Sequence, residues 1–142
     1  IFDKIIKHSN MTYHGTVSNE EICDALSNAD IFAFPSTHPE TSCLCIIEAM
    51  SAGCICVHSS LAALPETTNG HTMMYPYTKN KLDHCTLFAK MLLESVKVYN
   101  KTCLKSQIDY ANTKFNIHNI RQQWKNLFNK LKTMPPSCAK TL

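Results

Sequence analysis

STHPETSCLCIIEAMSAG, residues Ser36 to Gly53, decides how this chain is read. Two glutamates, Glu40 and Glu48, stand in it with seven residues between them. Glu40 falls in a proline-containing turn just after the apolar run DIFAFP, which reads as a buried strand over Asp30 to Phe34. Glu48 falls among Leu44, Cys45, Ile46, Ile47, Ala49 and Met50, in a segment that reads as a helix starting near Ser42. A carboxylate in such company is costly unless it is paired or hydrogen-bonded. Gly53 ends the helix, and Cys54 to Val57 follow as a continuous apolar strand of the parallel, doubly buried kind. Strand, turn, helix, glycine and strand in that order predict an α/β fold, with ligands bound beyond the carboxyl ends of the strands.

Outward from this centre the same alternation continues. MTYHG, ending at Gly15, reads as a short strand, and Ser18 with Glu21 forms a capping-box pattern before a helix whose apolar stripe is Ile22, Leu26 and Ala29. Downstream, Ser59 to Gly70 reads as a turn region and His71 to Tyr75 as a short edge strand. Lys79 to Asn100 reads as a helix with Leu82, Leu87, Met91, Leu92 and Val96 inward. Lys101 to Lys114 forms a further helix, and a last one, about Ile117 to Leu131, sets Ile117, Ile120, Trp124, Leu127 and Leu131 on one stripe. Pro135-Pro136 ends it. The expected organisation is a Rossmann-like parallel sheet with flanking helices over residues 1–134 and a polar tail over 135–142. Residues Ile1 to Ser9 look like the end of an element begun upstream, and without an initiator Met the chain is expected to be a fragment.

Bulk properties narrow the function. With 142 residues, 44% hydrophobic and 18% charged, the chain suits one moderate core. A formal net charge of +3 and no long basic run argue against nucleic acid. No apolar run approaches the roughly 20 residues needed to span a bilayer, and no signal peptide is visible. Among the eight cysteines are two Cys-x-Cys pairs, Cys43/Cys45 and Cys54/Cys56. On a strand the second pair shares a face as small hydrophobes, whereas on a helix the first pair diverges by roughly 200°. No spacing suits zinc, so the thiols read as free in a reducing compartment, which places the protein in the cytoplasm. The seven scattered histidines read as ordinary surface or packing residues.

The chemistry of the central stretch follows from its helix. The unpaired first N–H groups and the positive end of the macrodipole suit an anion such as phosphate. Glu48 lies about 9 Å further along the axis from Ser42, with acceptors for the two hydroxyls of a ribose. Glu40 lies on the other side of the phosphates, so the arrangement describes a sugar nucleotide. Glycoside hydrolysis by two carboxylates needs them about 5–5.5 or 6.5–9.5 Å apart. Eight positions on one helix give about 12 Å and an 80° rotation, which favours a donor clamp over an acid/base pair.

The order Y-H-G-x-V, S-N-E-E-I, A-D-I-F-A-F-P-S, P-E-T-x-x-L-x-x-x-E-A-M-x-A-G, L-P-E and F-x-x-x-x-I-x-x-x-W resembles the group 1 family of retaining glycosyltransferases. More narrowly, it is similar to the C-terminal, donor-binding half of their GT-B fold, over about Tyr13 to Trp124. The resemblance implies a nucleotide-sugar donor (UDP-, GDP- or ADP-linked) and transfer with retention, without bound metal or other cofactor. It implies that Glu40 faces the donor sugar as the catalytic residue and that Glu48 holds the ribose. It further implies that the main chain of Thr41, Ser42, Cys43 and Leu44 binds the diphosphate, and that the loop of Gly15, Thr16, Val17 and Asn19 lines the nucleobase. The family's N-terminal acceptor domain, its first glycine-rich unit and its phosphate-facing Arg and Lys are missing from this chain, so the 142 residues alone are expected to be inactive. Ser42-Cys43 stand where the family has an aromatic and a glycine, and Ala62-Ala63 where it has a glycine pair. Those departures keep open a non-catalytic nucleotide-binding or interaction relic of the fold. A sugar-nucleotide epimerase of similar two-domain build is a third reading.

Overall fold

The computed structural model describes residues 7–98 and 101–133, with main chain only at 101–103. Its elements run α1 (Asn19–Asn28), β1 (Ile31–Phe34), α2 (Leu44–Ala52), β2 (Ile55–Ser59), α3 (Leu64–Thr68), β3 (Met73–Tyr75), α4 (Lys81–Lys97), α5 (Lys101–Lys114) and α6 (Ile117–Thr133). The three strands form one parallel sheet in the order β1-β2-β3, with Ile31 beside Ile55 and Val57 beside Met73. This is the Rossmann-like α/β arrangement expected from the alternation of strands and helices. A doubly wound sheet has two such halves diverging from a central pair, and three parallel strands stepping one way make one half.

Local chemistry explains the element boundaries. The Ser18 hydroxyl accepts from the Glu21 main-chain N–H, while the Glu21 carboxylate accepts from the Ser18 N–H, so the capping box stands as expected. These bonds hold the Glu21 carboxyl below the usual carboxylate range. Asn80 caps α4 in the same sense, accepting from the N–H groups of Leu82 and Asp83. Gly53 ends α2 at φ 86°, and a Cβ there would stand 3.2 Å from Cδ1 of Ile108, so glycine meets both a backbone and a packing need. The Gln107 side chain of α5 donates to the carbonyls of Met50 and Cys54, closing the end of that helix.

The core sits on the inner face of α2, where Ile46, Ala49 and Met50 are fully buried with Cys54, Cys56 and Leu64. α5 covers α2 from outside, and α4 packs on β2 and β3. All of β2 is buried, as its continuous apolar run predicts. β1 is only half-buried, because it forms an edge of the described sheet.

Four expectations are corrected. Residues 11–15 form no strand: Met11 and Tyr13 are exposed, and no described strand pairs with them to satisfy the main chain. In α1, Ile22 and Ala29 are exposed rather than inward, and only Leu26 packs on the core. In α4, Leu82 and Val96 are also exposed, and the buried positions are His84 and Ser95. The Ser95 hydroxyl donates to the Leu92 carbonyl of the same helix, and Nε2 of His84 meets the Pro35 carbonyl and the Tyr75 hydroxyl, so both of these polar groups find partners within the fold. In α6 the stripe of Ile117, Trp124, Leu127 and Leu131 is exposed, and the helix buries no residue. The segments 1–6 and 135–142, read as an upstream element's end and a polar tail, lie outside the described residues.

Candidate functional site

The turn between β1 and α2 carries the glutamates, and three contacts hold it. Nε2 of His84, on α4, lies 3.3 Å from the Pro35 carbonyl that opens the turn and 3.2 Å from the Tyr75 hydroxyl. With Nε2–H donating, one ring joins α4, β3 and the turn. Ser36 closes a small loop, its hydroxyl donating to the His38 carbonyl. At the far end, the Ala63 N–H donates to the Glu40 carbonyl at 3.3 Å. The Ala62-Ala63 loop therefore lies directly against Glu40. Ala62 adopts φ 51°, the left-handed region that disfavours an L side chain. The backbone there keeps a glycine-like conformation although the residue is alanine.

The helix begins at Leu44, with Cys43 as an extended N-cap whose side chain makes no cap bond. The expected start near Ser42 is thus two residues early, because Thr41 and Ser42 remain in the turn. The first N–H groups of α2 lack a side-chain cap and face the turn that Glu40 enters. Glu40 is half-buried, while Thr41 and Ser42 are exposed. Leu44, 69% exposed, and Glu48 occupy one solvent face of α2, four residues and about 6 Å apart along the axis. Glu48 is itself exposed, so the desolvation cost expected of it does not arise; Ile46, Ile47, Ala49 and Met50 turn to the buried side of the helix, while Leu44 shares the exposed face.

Cys43 also departs from expectation. At φ −89° it needs no glycine, and its side chain is 3% exposed, part of the core. Its sulfur lies 3.2 Å from that of Cys45, because the N-cap lies outside the helical screw and the 200° divergence does not apply. Burial, together with the hydrogen bond and charge at Cys43, pushes the Cys45 thiol up to about 12. Burial likewise raises Cys56. Cys54 and Cys56 are fully buried, Cys54 against the Leu26 carbonyl and Cys56 against that of Cys54.

Among the described residues, the loop expected to line the nucleobase shares no hydrogen bond or pocket with Glu40 or Glu48. Gly15 and Thr16 are exposed, Val17 is half-buried, and Asn19 is the first residue of α1. Val17 and His14 line an apolar groove of about 450 Å3 along α1. Thr41 and Ser42 line a different pocket of about 410 Å3, part polar and part apolar, with Ala63, Asn69, Tyr110, Lys114 and Phe115. The structure therefore joins Glu40 with the Ala62-Ala63 loop and Thr41 and Ser42 with Ala63, and of the Gly15–Asn19 loop it places only Val17 in a separate groove. His84, Tyr75 and Lys114 carried no sequence signal, since only tertiary packing brings them to the turn. Among the described residues no group of three or more His, Cys, Asp or Glu is placed to hold a metal ion.

A parallel α/β half-sheet with an uncapped helix start at the strand ends defines the class of Rossmann-like ligand-binding folds. The family described as "Glycosyl transferases group 1" matches residues 2–91, which span the turn, both glutamates and the whole sheet. The chain belongs to that family, and its chemistry is glycosyl transfer. No curated protein and no solved structure matches it significantly. Among the described residues no helix is long and apolar enough to cross a membrane.

Proposed function

We propose that this chain supplies the donor-binding, C-terminal half of a retaining GT-B glycosyltransferase that draws its sugar from a UDP-, GDP- or ADP-sugar. One observation carries the reading. The N-terminus of α2 has no side-chain cap, and the two glutamates flank it, Glu40 in the turn before it and Glu48 on its exposed face. The main-chain N–H groups from Thr41 to Leu44 receive the diphosphate, where the helix potential stabilises the charge that builds on the leaving phosphate. Glu48 accepts from the ribose diol, and its exposure makes it available to ligand. Glu40 faces the donor sugar, its backbone braced by Ala63. Gly15, Thr16, Val17 and Asn19 meet the base at the outer end of the nucleotide.

In this reading residues 1–134 form the donor-binding domain and 135–142 a tail. An acceptor domain completes the enzyme, no metal or bound cofactor takes part, and the free thiols accord with the cytoplasm. Neither nucleic acid nor a membrane span enters the reading. Calorimetric titration with UDP, GDP and ADP tests it. The expected result is weak binding of at least one nucleotide and no sugar transfer by the chain alone. Absence of binding by all three overturns the nucleotide assignment, and turnover by the chain alone overturns the half-enzyme assignment.

A further inference from the structure

The four thiols around α2 divide into two pairs of different character. Cys54 and Cys56 are fully buried, with their sulfurs against main-chain carbonyls. Cys43 and Cys45 instead have their sulfurs 3.2 Å from each other, at the start of α2. Cys45 is half-buried and Cys43 is buried. A disulfide needs a sulfur–sulfur distance of about 2.05 Å. The pair is already assembled, and roughly 1 Å of approach separates it from a bond.

We propose that Cys43 and Cys45 are a redox-active dithiol, a modification site that a low-molecular-weight disulfide such as oxidised glutathione closes into an intramolecular disulfide. Burial keeps most of the Cys45 thiol protonated, and the small thiolate fraction slowly attacks one sulfur of the reagent, whose S–S bond breaks and releases one glutathione thiolate. The Cys43 thiolate then attacks the Cys45 sulfur of the mixed disulfide and expels the second glutathione. Two protein thiols lose two electrons and two protons, and one disulfide reagent becomes two thiols. The second step is intramolecular between groups already in contact, which favours closure over a lasting mixed disulfide. The new bond ties the N-cap of α2 to its second residue, in the turn that presents Glu40.

The inference rests on sulfur geometry alone and stands apart from the nucleotide reading. Its test uses the unaltered chain. Treatment with oxidised glutathione at mildly alkaline pH is followed by unfolding, alkylation with N-ethylmaleimide and cleavage after glutamate. That cleavage isolates Thr41–Glu48, which contains both cysteines and no others, and separately Ile22–Glu40, which contains Cys23. The expected Thr41–Glu48 peptide carries neither maleimide nor glutathione, is lighter by two hydrogens, and regains two maleimides after dithiothreitol. Exposed Cys23 reports that the reagent is active by carrying glutathione. A Thr41–Glu48 peptide with two maleimides, or with a persistent glutathione adduct, while Cys23 is modified overturns the proposal. In Cys45→Ser the expected peptide takes one maleimide at Cys43. If Cys43 instead becomes linked to the peptide containing Cys56, the assigned partner is wrong.

Discussion

Replacing Ala62 by glycine tests the backbone of the loop that braces Glu40. Ala62 holds φ 51°, and an L residue in the left-handed region costs about 1–2 kcal/mol. Glycine removes that cost but brings more freedom to the unfolded chain, which takes back roughly 0.5–1 kcal/mol. Ala62 is exposed, so the lost methyl group forfeits little burial. The expected net effect of Ala62→Gly is a stabilisation of about 0.5–1 kcal/mol. For a chain of this size each kcal/mol moves the melting point by about 2–4 °C. Urea denaturation monitored at Trp124 and by circular dichroism measures it, with Gly53→Ala as the reverse experiment. At Gly53, φ 86° and the 3.2 Å approach to Ile108 act together, so alanine there costs at least about 1–2 kcal/mol. An Ala62→Gly variant less stable than the parent, with an unchanged urea slope, refutes the claim that this loop stores left-handed strain.

Two further outcomes follow from the site and the core. Glu48→Gln removes a charged acceptor from an exposed helix face, so stability stays within about 0.5 kcal/mol. Nucleotide affinity falls by roughly 1.5–3 kcal/mol, tenfold or more, and unchanged affinity by calorimetry removes the ribose role. His58, fully buried, donates from Nδ1 to the Ser59 carbonyl and accepts at Nε2 from the Thr72 hydroxyl at 2.6 Å, so the fold holds it neutral. Burial lowers its pKa from the ordinary 6.5. Below about 6.5 the unfolded chain takes up a proton that the fold refuses, so stability is full above that value and declines as pH falls toward the folded pKa. Urea midpoints at about pH 7 and about pH 5 record the decline, which is expected to shrink in His58→Asn; an equal decline in both proteins assigns the acid sensitivity elsewhere. Thr72→Val leaves Nε2 without a donor and costs about 1–3 kcal/mol.

Much of this protein was legible without coordinates. The capping box at Ser18 and Glu21, the continuous apolar strand at Ile55–Ser59 and the helix end at Gly53 are local features. Propensity, capping and burial period act over a few residues, so the sequence alone determined the α/β class and most of the order of elements. Yet the sequence also suggested a strand at 11–15 that does not form and a turn where the short helix Leu64–Thr68 stands. It also carried the family, because the two-glutamate turn with its flanks is a contiguous pattern.

Only the tertiary structure decided which face each helix turns inward and which distant groups meet. Leu82 and Val96 of α4 are exposed, while His84 turns in to reach Pro35 and Tyr75, so packing on β2 and β3 rather than the apolar pattern sets the buried stripe. Residues 11–15 have strand composition but join no strand of the described sheet, and a strand exists only where another strand pairs with its main chain. Glu48 looked costly in an apolar run and proved solvated, because a nine-residue helix has an outer face whatever its average composition. Cys43 and Cys45 meet because the helix begins between them, a boundary of one or two residues that local preference does not specify. The loop at Ala62 joins Glu40 through a main-chain bond across 23 positions, which depends on where the packed core closes rather than on either local sequence.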